Sequence, residues 1–395
     1  MITGRPITQG VTGGRLDDSR ILTINNKVLL YLGGFSHMGG IEIFARDFLL
    51  EISSHFKSRE IIYWGKSKRD LPLICEIQNS GARIFRSFFR WGCRWKIPDY
   101  FLLAIGFFRV KSASLVIFKR PPPLRVLVAL KNSASSARNT PKFVMITPYR
   151  PSEYWKTKES FVESKMLDAI IVQCADWKAD LYNLGYAGRI EVIPLFPPEV
   201  QSPEPFPMCS DTKTVRIGFL GRLEVQKNLP YLFAAFKIIS EKSDFKYELH
   251  IFGNGSKKCE LQQRANLISN GEIKFYGEIS RGGVSSAIDS CDFFVNPSIT
   301  EGQCLAALEI LSRGRPIVAT PVGALPNILS DTMLGSIVPL DSPIELATAI
   351  VQQSVDIRLG LFAPEKIQSA FLKRFQRSNV RSQYISLLTS LLKMS

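Results

Sequence analysis

The chain reads as an α/β protein of two domains built on parallel sheets. Three observations predict this. At 395 residues the chain is longer than one hydrophobic core usually organises, so two domains are the default. Short apolar runs alternate with stretches of helical spacing, the pattern of parallel sheets covered on both faces. A proline-dense segment also divides the chain. After Glu191 it runs VIPLFPPEVQSPEPFPMCSDTK, with proline at 194, 197, 198, 203, 205 and 207, too many for a helix or a central strand.

The elements follow in order. Residues 1–26 are polar and Gly/Thr-rich and lack the apolar core of a signal peptide, so they are expected to form a flexible tail. KVLLYLGG (27–34) is the first strand. In GGFSHMGGIE the glycines leave a strand and open a helix, which lets backbone N–H groups approach a bound phosphate. The spacing there is neither GxGxxG nor a P-loop. IEIFARDFLLEISSHF (41–56) has helical spacing, and IIYW, SLVIF, KFVMIT and AIIVQC read as short buried strands. The first domain is therefore placed at 27–200 and the semi-rigid linker at 201–212. Beyond it, VRIGFLGRLEVQKNLPYLFAAF reads as strand, glycine turn and a helix entered near Asn228. YELHIFGNG, IKFYGEIS, CDFFVNPSITEG and RGRPIVATPVGALPNIL continue the alternation through a second domain, 213–363. Residues 364–395 are helical. No apolar stretch reaches the ~18 residues needed to span a bilayer, and FLLAIGFFRV (101–110) is interrupted by Arg109.

Seven scattered cysteines, without CxxC or metal spacing, read as reduced thiols of a cytoplasmic protein. Three histidines, none paired at ligand spacing, argue against a zinc site.

Glu301 and Glu309 bracket the run EGQCLAALE. Glu309 lies in a helix apolar enough to be buried, where an ionised carboxylate is costly unless something specific binds it. A solvated surface glutamate fits poorly, because Leu305, Leu308, Ile310 and Leu311 leave little polar face. Glu301 follows the turn-like NPSIT, where free backbone N–H groups can meet an anion. The pair predicts a pocket in which hydroxyls meet carboxylates and a phosphate meets a helix N-terminus.

These five motifs, in order over residues 215–350, resemble the C-terminal half of retaining glycosyltransferases of the sucrose-synthase-like group (glycosyltransferase family 4, group 1). The resemblance implies the GT-B architecture, with two Rossmann-like domains whose sheets face across a deep cleft. The acceptor would sit in the N-terminal domain and the nucleotide sugar in the C-terminal one. It implies catalytic roles for Arg222, Lys227 and Glu301. The two cations would stabilise the leaving diphosphate without a metal, and Glu301 would take hydroxyls of the donor sugar. Glu309 would bind the ribose hydroxyls, backbone groups of Gln303, Cys304 and Leu305 the sugar or distal phosphate, and Gly39 and Gly40 would face the donor across the cleft. No metal is expected, since the Asp-x-Asp motif is absent, and no cofactor beyond a UDP- or GDP-linked co-substrate. The helices of 364–395 would cross back onto the first domain. The reaction would proceed with retention, by front-face attack in which the departing phosphate helps to deprotonate the acceptor.

Two departures stand out. Gln303 and Cys304 replace the aromatic–glycine pair usual after Glu-Gly. The stretch KFVMITPYRPSEYW (142–155) lacks the histidine that many relatives place near the reacting sugar, leaving Thr147, Tyr149, Arg150 and Glu153. Asp168 matches a frequent structural aspartate, and His250 reads as a satisfied core histidine.

The net charge of +15 is uneven, since residues 56–120 carry 14 Lys/Arg against 4 Asp/Glu. Cations interleave with aromatics over 83–111, which suits an anionic membrane interface. Single-stranded nucleic acid ranks lower, because no recognition fold accompanies the run. The expected partners are a nucleotide-sugar donor and a saccharide acceptor, lipid-linked or lipopolysaccharide-like, at the cytoplasmic face of a membrane. A non-catalytic nucleotide-sugar-binding protein of the same fold is the alternative, followed by a basic nucleic-acid-binding protein.

Overall fold

The computed structural model describes residues 24–34, 40–64, 72–87, 110, 112–119, 127–128, 131–132, 140–147, 149–155, 166–207, 214–242, 245–268 and 271–393. Two sheets organise them. The first contains β1 (Ile24–Gly34), β2 (Phe56–Trp64), β3 (Arg83–Ser87), β4 (Leu115–Phe118), β5 (Lys142–Ile146), β6 (Ala169–Val172) and β7 (Arg189–Val192), in the order β3-β2-β1-β4-β5-β6-β7. The second contains β8 (Thr214–Leu220), β9 (Lys246–Phe252), β10 (Glu272–Gly277), β11 (Phe293–Asn296), β12 (Ile317–Ala319) and β13 (Gly335–Ile337), in the order β10-β9-β8-β11-β12-β13. Every neighbouring pair is parallel. Among the described residues the helices of eight residues or more are α1 (Gly40–Glu51), α2 (Pro72–Asn79), α3 (Ala175–Asn183), α4 (Leu229–Lys242), α5 (Lys258–Ala265), α6 (Leu305–Ser312), α7 (Pro343–Arg358), α8 (Pro364–Arg374) and α9 (Arg377–Lys393).

The strands are apolar runs because both faces of each sheet are covered. β4 and β6 are buried at every position. Side chains alternate between faces. Val28, Leu30, Ile117, Val144 and Ile171 pack with Phe44 and Phe48 of α1, whereas Leu29, Val116, Phe118, Phe143 and Val172 join Trp177 of α3 on the other side.

Three boundaries differ from the sequence reading. β1 begins at Ile24, inside the expected tail, because Ile24 pairs with Phe56. The helix of 41–56 stops at Glu51; a turn follows and Phe56 opens β2, since its ring is needed in the core rather than on the helix face. The terminal helices separate. α8 stays on the second sheet, with Ile367 and Phe371 in its core and Arg374 donating to the Ile328 carbonyl at 3.0 Å. Only α9 lies on the first sheet, where Tyr384 stacks on Phe196 and meets Phe48 edge-on. Arg377, at its start, pairs with Glu51 of α1 and donates to the Pro197 carbonyl at 2.6 Å. Residues 1–23, the 88–109 part of the basic aromatic stretch and the 208–212 part of the linker lie outside the described residues.

Candidate functional site

Loops at the carboxyl ends of β8, β9, β11 and β12 converge, and glycines let them. A Cβ at Gly253, after β9, would lie 1.8 Å from the Gly221 carbonyl oxygen after β8. A Cβ at Gly323, where φ is +59°, would lie 2.3 Å from the Gly302 oxygen. Only glycine permits either approach. The loops are also stitched by backbone bonds, Leu223 N–H to Asn254 O at 2.9 Å and Ile299 N–H to Gln226 O at 2.9 Å.

This stitching brings Lys227 to Glu301. Asn228 takes a left-handed φ of 49° after the short turn Val225–Lys227, a conformation asparagine tolerates. The Lys227 ammonium forms an ion pair with Glu301 Oε1. The same oxygen accepts from Ser298 Oγ at 2.9 Å and from Asn296 Nδ2 at 3.4 Å. None of these three donors uses Oε2. Burial disfavours the Lys227 ammonium, but Glu301 more than offsets that and holds its pKa above the ordinary lysine value. Arg222 is exposed on the same loop.

The two residues replacing the aromatic–glycine pair are both buried. Cys304 caps α6 with a left-handed φ of 58°, a conformation that costs any non-glycine residue. Its Sγ lies 3.0 Å from Asn296 Nδ2, and burial pushes the thiol up to about 12, so it is neutral. The Gln303 Oε1 accepts the N–H of Leu195, in the chain leaving the first sheet, while its Nε2 has no partner among the described residues. Leu305 is half-buried at the start of α6.

Glu309 lies one helical turn past Leu305 on α6 and is half-buried. Among the described residues nothing hydrogen-bonds its carboxylate. Burial, and secondarily the charge of Asp47 on α1, push it up to about 7. Asp47 is thereby tied to this carboxylate, a link that sequence reasoning missed. Its signal was there, an Arg-Asp pair inside the apolar helix IEIFARDFLL. It is held by Arg46 beside it and lies 3.6 Å from Arg377. Gly40 is the first residue of α1, and Gly39 lies outside the described residues, as does His37.

In 142–155, where the family resemblance leads one to expect a histidine, the first sheet offers engaged groups. Thr147 Oγ1 donates to the Ile171 carbonyl at 3.3 Å, and Arg150 makes a two-pronged pair with Asp180 at 2.5 and 2.8 Å. Asp168 accepts the Phe143 N–H at 2.8 Å and so braces β5. His250 is buried between Glu248 and Tyr276, at 3.2 Å from each. Among the described residues no three His, Cys, Asp or Glu gather as a metal cluster, and no helix is long and apolar enough to cross a membrane.

Comparison with known proteins places the segment that carries these residues in a family. The family model described as "Glycosyl transferases group 1" matches residues 214–355, which contain Arg222, Lys227, Glu301 and Glu309. This segment is a group 1 glycosyl transferase domain. Over 119 residues the chain is 31% identical to the alpha-monoglucosyldiacylglycerol synthase of Streptococcus pneumoniae, a match covering 30% of this chain and 27% of that protein. Such a match spans well under half of the relative's length. Among solved structures, sucrose-phosphate synthase from Thermosynechococcus elongatus superposes with a TM-score of 0.73 at 16% identity, over 94% of this chain and 100% of that one. Anabaena HepE in complex with UDP and glucose superposes with a TM-score of 0.72 at 15% identity, over 92% and 100%. These likenesses extend beyond the group 1 domain to both sheets, and the fold is GT-B.

Proposed function

We propose that the chain is a retaining, metal-independent glycosyltransferase that moves a hexosyl group from a UDP- or GDP-linked donor to a saccharide acceptor. The observation that carries this reading is the Lys227–Glu301 ion pair at the carboxyl edge of the second sheet, with the open carboxylate of Glu309 on the helix that follows. Arg222 and Lys227 supply positive charge where a diphosphate leaves, and such preorganised donors act most strongly where water is excluded. Oε2 of Glu301, which no described donor uses, suits a sugar hydroxyl. Glu309 suits a vicinal diol such as ribose, which donates two hydrogen bonds to one carboxylate.

The acceptor is proposed to be a lipid-linked polysaccharide or lipopolysaccharide intermediate at the cytoplasmic face of a membrane. The basic aromatic stretch 83–111 would make a peripheral contact there, and a lipid partner accords with the name of the Streptococcus relative. Support for retention comes from the family likeness.

A second reading, a nucleotide-sugar-binding protein without transfer, is favoured by Thr147 and Arg150 being tied into the fold where relatives have a histidine. Purified chain should hydrolyse one of a panel of UDP- and GDP-sugars slowly, and faster with acceptor. Binding without any turnover would select the second reading.

A further inference from the structure

Lys119 is used by nothing described so far. It follows the last residue of β4 and sits on the α1 face of the first sheet, in phase with Leu115 and Ile117. An aliphatic side chain would be expected there, yet a lysine is 1% exposed. Its Nζ lies 3.9 Å from the ring centroid of Phe44, within the second turn of α1. Among the described residues no carboxylate or carbonyl takes its protons, and burial alone pushes its pKa down to about 7. Attraction to one ring face does not replace the water stripped from an ammonium. A methionine in the same space would pack as well without that cost.

Its place in the fold says what it is for. The strand order of the first sheet reverses between β1 and β4. In open parallel sheets, ligands bind outside the carboxyl ends of the strands at such a reversal. β4 ends one residue before Lys119, and α1, which follows β1, carries the ring beneath its ammonium, so both sides of the reversal meet at this residue. The start of α1 adds the partial positive charge of a helix N-terminus nearby. We propose that Lys119 is a phosphate-binding residue of the first sheet, its ammonium meeting a phosphate oxyanion seated at the β1–β4 reversal. Lysine serves phosphate as a point charge that needs no fork geometry, and a bound anion supplies the countercharge that the fold withholds. The glycosyl-transfer reading bears only on what carries the phosphate, either the donor diphosphate or an acceptor that is itself a phosphate ester.

Competitive acetylation of the full chain at pH 7.5, read peptide by peptide by mass spectrometry, tests this. Rates at Lys119 are compared with those at Lys237, an exposed helix lysine. The probes are inorganic pyrophosphate for the donor side and a monomeric short-chain phosphatidic acid for the acceptor side. At least one should slow acetylation of Lys119 fivefold or more while Lys237 changes less than twofold, and the effective probe names the source. The Lys119→Met protein should melt at or above the wild-type temperature and lose at least half of that probe's stabilising effect. If it does not fold, Lys119→Arg, which keeps the charge, should fold and keep at least half of the effect. A Lys119 whose acetylation neither probe slows, or that never reacts in the native protein, is a structural lysine, and the proposal is then wrong. A Lys119→Met protein of lowered melting temperature with an intact probe response, or a Lys119→Arg protein that fails to fold or loses the response, overturns it equally. Calorimetry with nucleotide sugars on the same samples separates the two claims, since phosphate protection without nucleotide-sugar binding would sink the transfer reading and leave this one standing.

Discussion

Glu309→Gln should make the free protein more stable and the nucleotide complex weaker. The carboxyl titrates near 4.5 when unperturbed and near 7 in the fold. Between those values the folded chain keeps a proton that the unfolded chain has released, so stability falls as pH rises through that window and levels off above about 7. Each pKa unit is worth ~1.4 kcal/mol. The ionised carboxylate thus costs the free protein up to ~3 kcal/mol at pH 8, less whatever solvent screens at this half-buried site. Glutamine keeps the shape without the charge, so wild type and variant should melt alike near pH 4.5. They should separate by several degrees at pH 8, at roughly 2–4 °C per kcal/mol for a domain of this size. Nucleoside diphosphate reverses the order. Losing a charge-assisted hydrogen bond costs roughly 1.5–3 kcal/mol, about 10- to 150-fold in affinity. Melting curves at the two pH values and calorimetric titration with UDP and GDP read both effects. Coincident melting at pH 8 would show that Glu309 is not a desolvated carboxylate, and unchanged affinity would show that it is not a ligand.

Arg222→Ala and Lys227→Ala should each lower turnover by about 10²–10³, the usual effect of losing one preorganised donor, with circular dichroism unchanged; half of wild-type activity in both variants would remove them from the phosphate site. Activity should persist in EDTA, and loss that manganese or magnesium restores would contradict a metal-independent leaving group. Arg377→Ala should cost about 1–3 kcal/mol, since Glu51 and the Pro197 carbonyl lose a donor. It should also loosen α9, read as faster proteolysis between α8 and α9; an unchanged digestion pattern would mean that the apolar contacts of Tyr384 and Leu388 hold the helix alone.

The alternation of elements was legible because parallel strands buried on both faces are short apolar runs, and LVIF and AIIV could be nothing else in this setting. The residues of the proposed donor site could be picked out because they are local. Glu301 and Glu309 lie within two turns of one helix start, and Arg222 and Lys227 share one loop. What escaped was non-local. That Lys227 would meet Glu301 depends on a stitch between loops far apart in the chain. Asp47 gains its meaning only through its effect on Glu309, far along the chain. Lys119 was one of many cations in a basic stretch, since composition cannot distinguish a solvated lysine from one sealed over Phe44. The end of α1 is not legible in the sequence, because no glycine or proline marks it and Phe56 suits either periodicity.

The central claim is that the loops around the Lys227–Glu301 pair bind a nucleotide sugar and cleave it. The most direct measurement is release of nucleoside diphosphate from a panel of UDP- and GDP-sugars by the purified full chain, with Lys227→Ala as the control. Release is expected from at least one donor, insensitive to EDTA and reduced about 10²-fold or more in the variant. Equal release by wild type and variant, or no binding and no release with any donor on the panel, would contradict it.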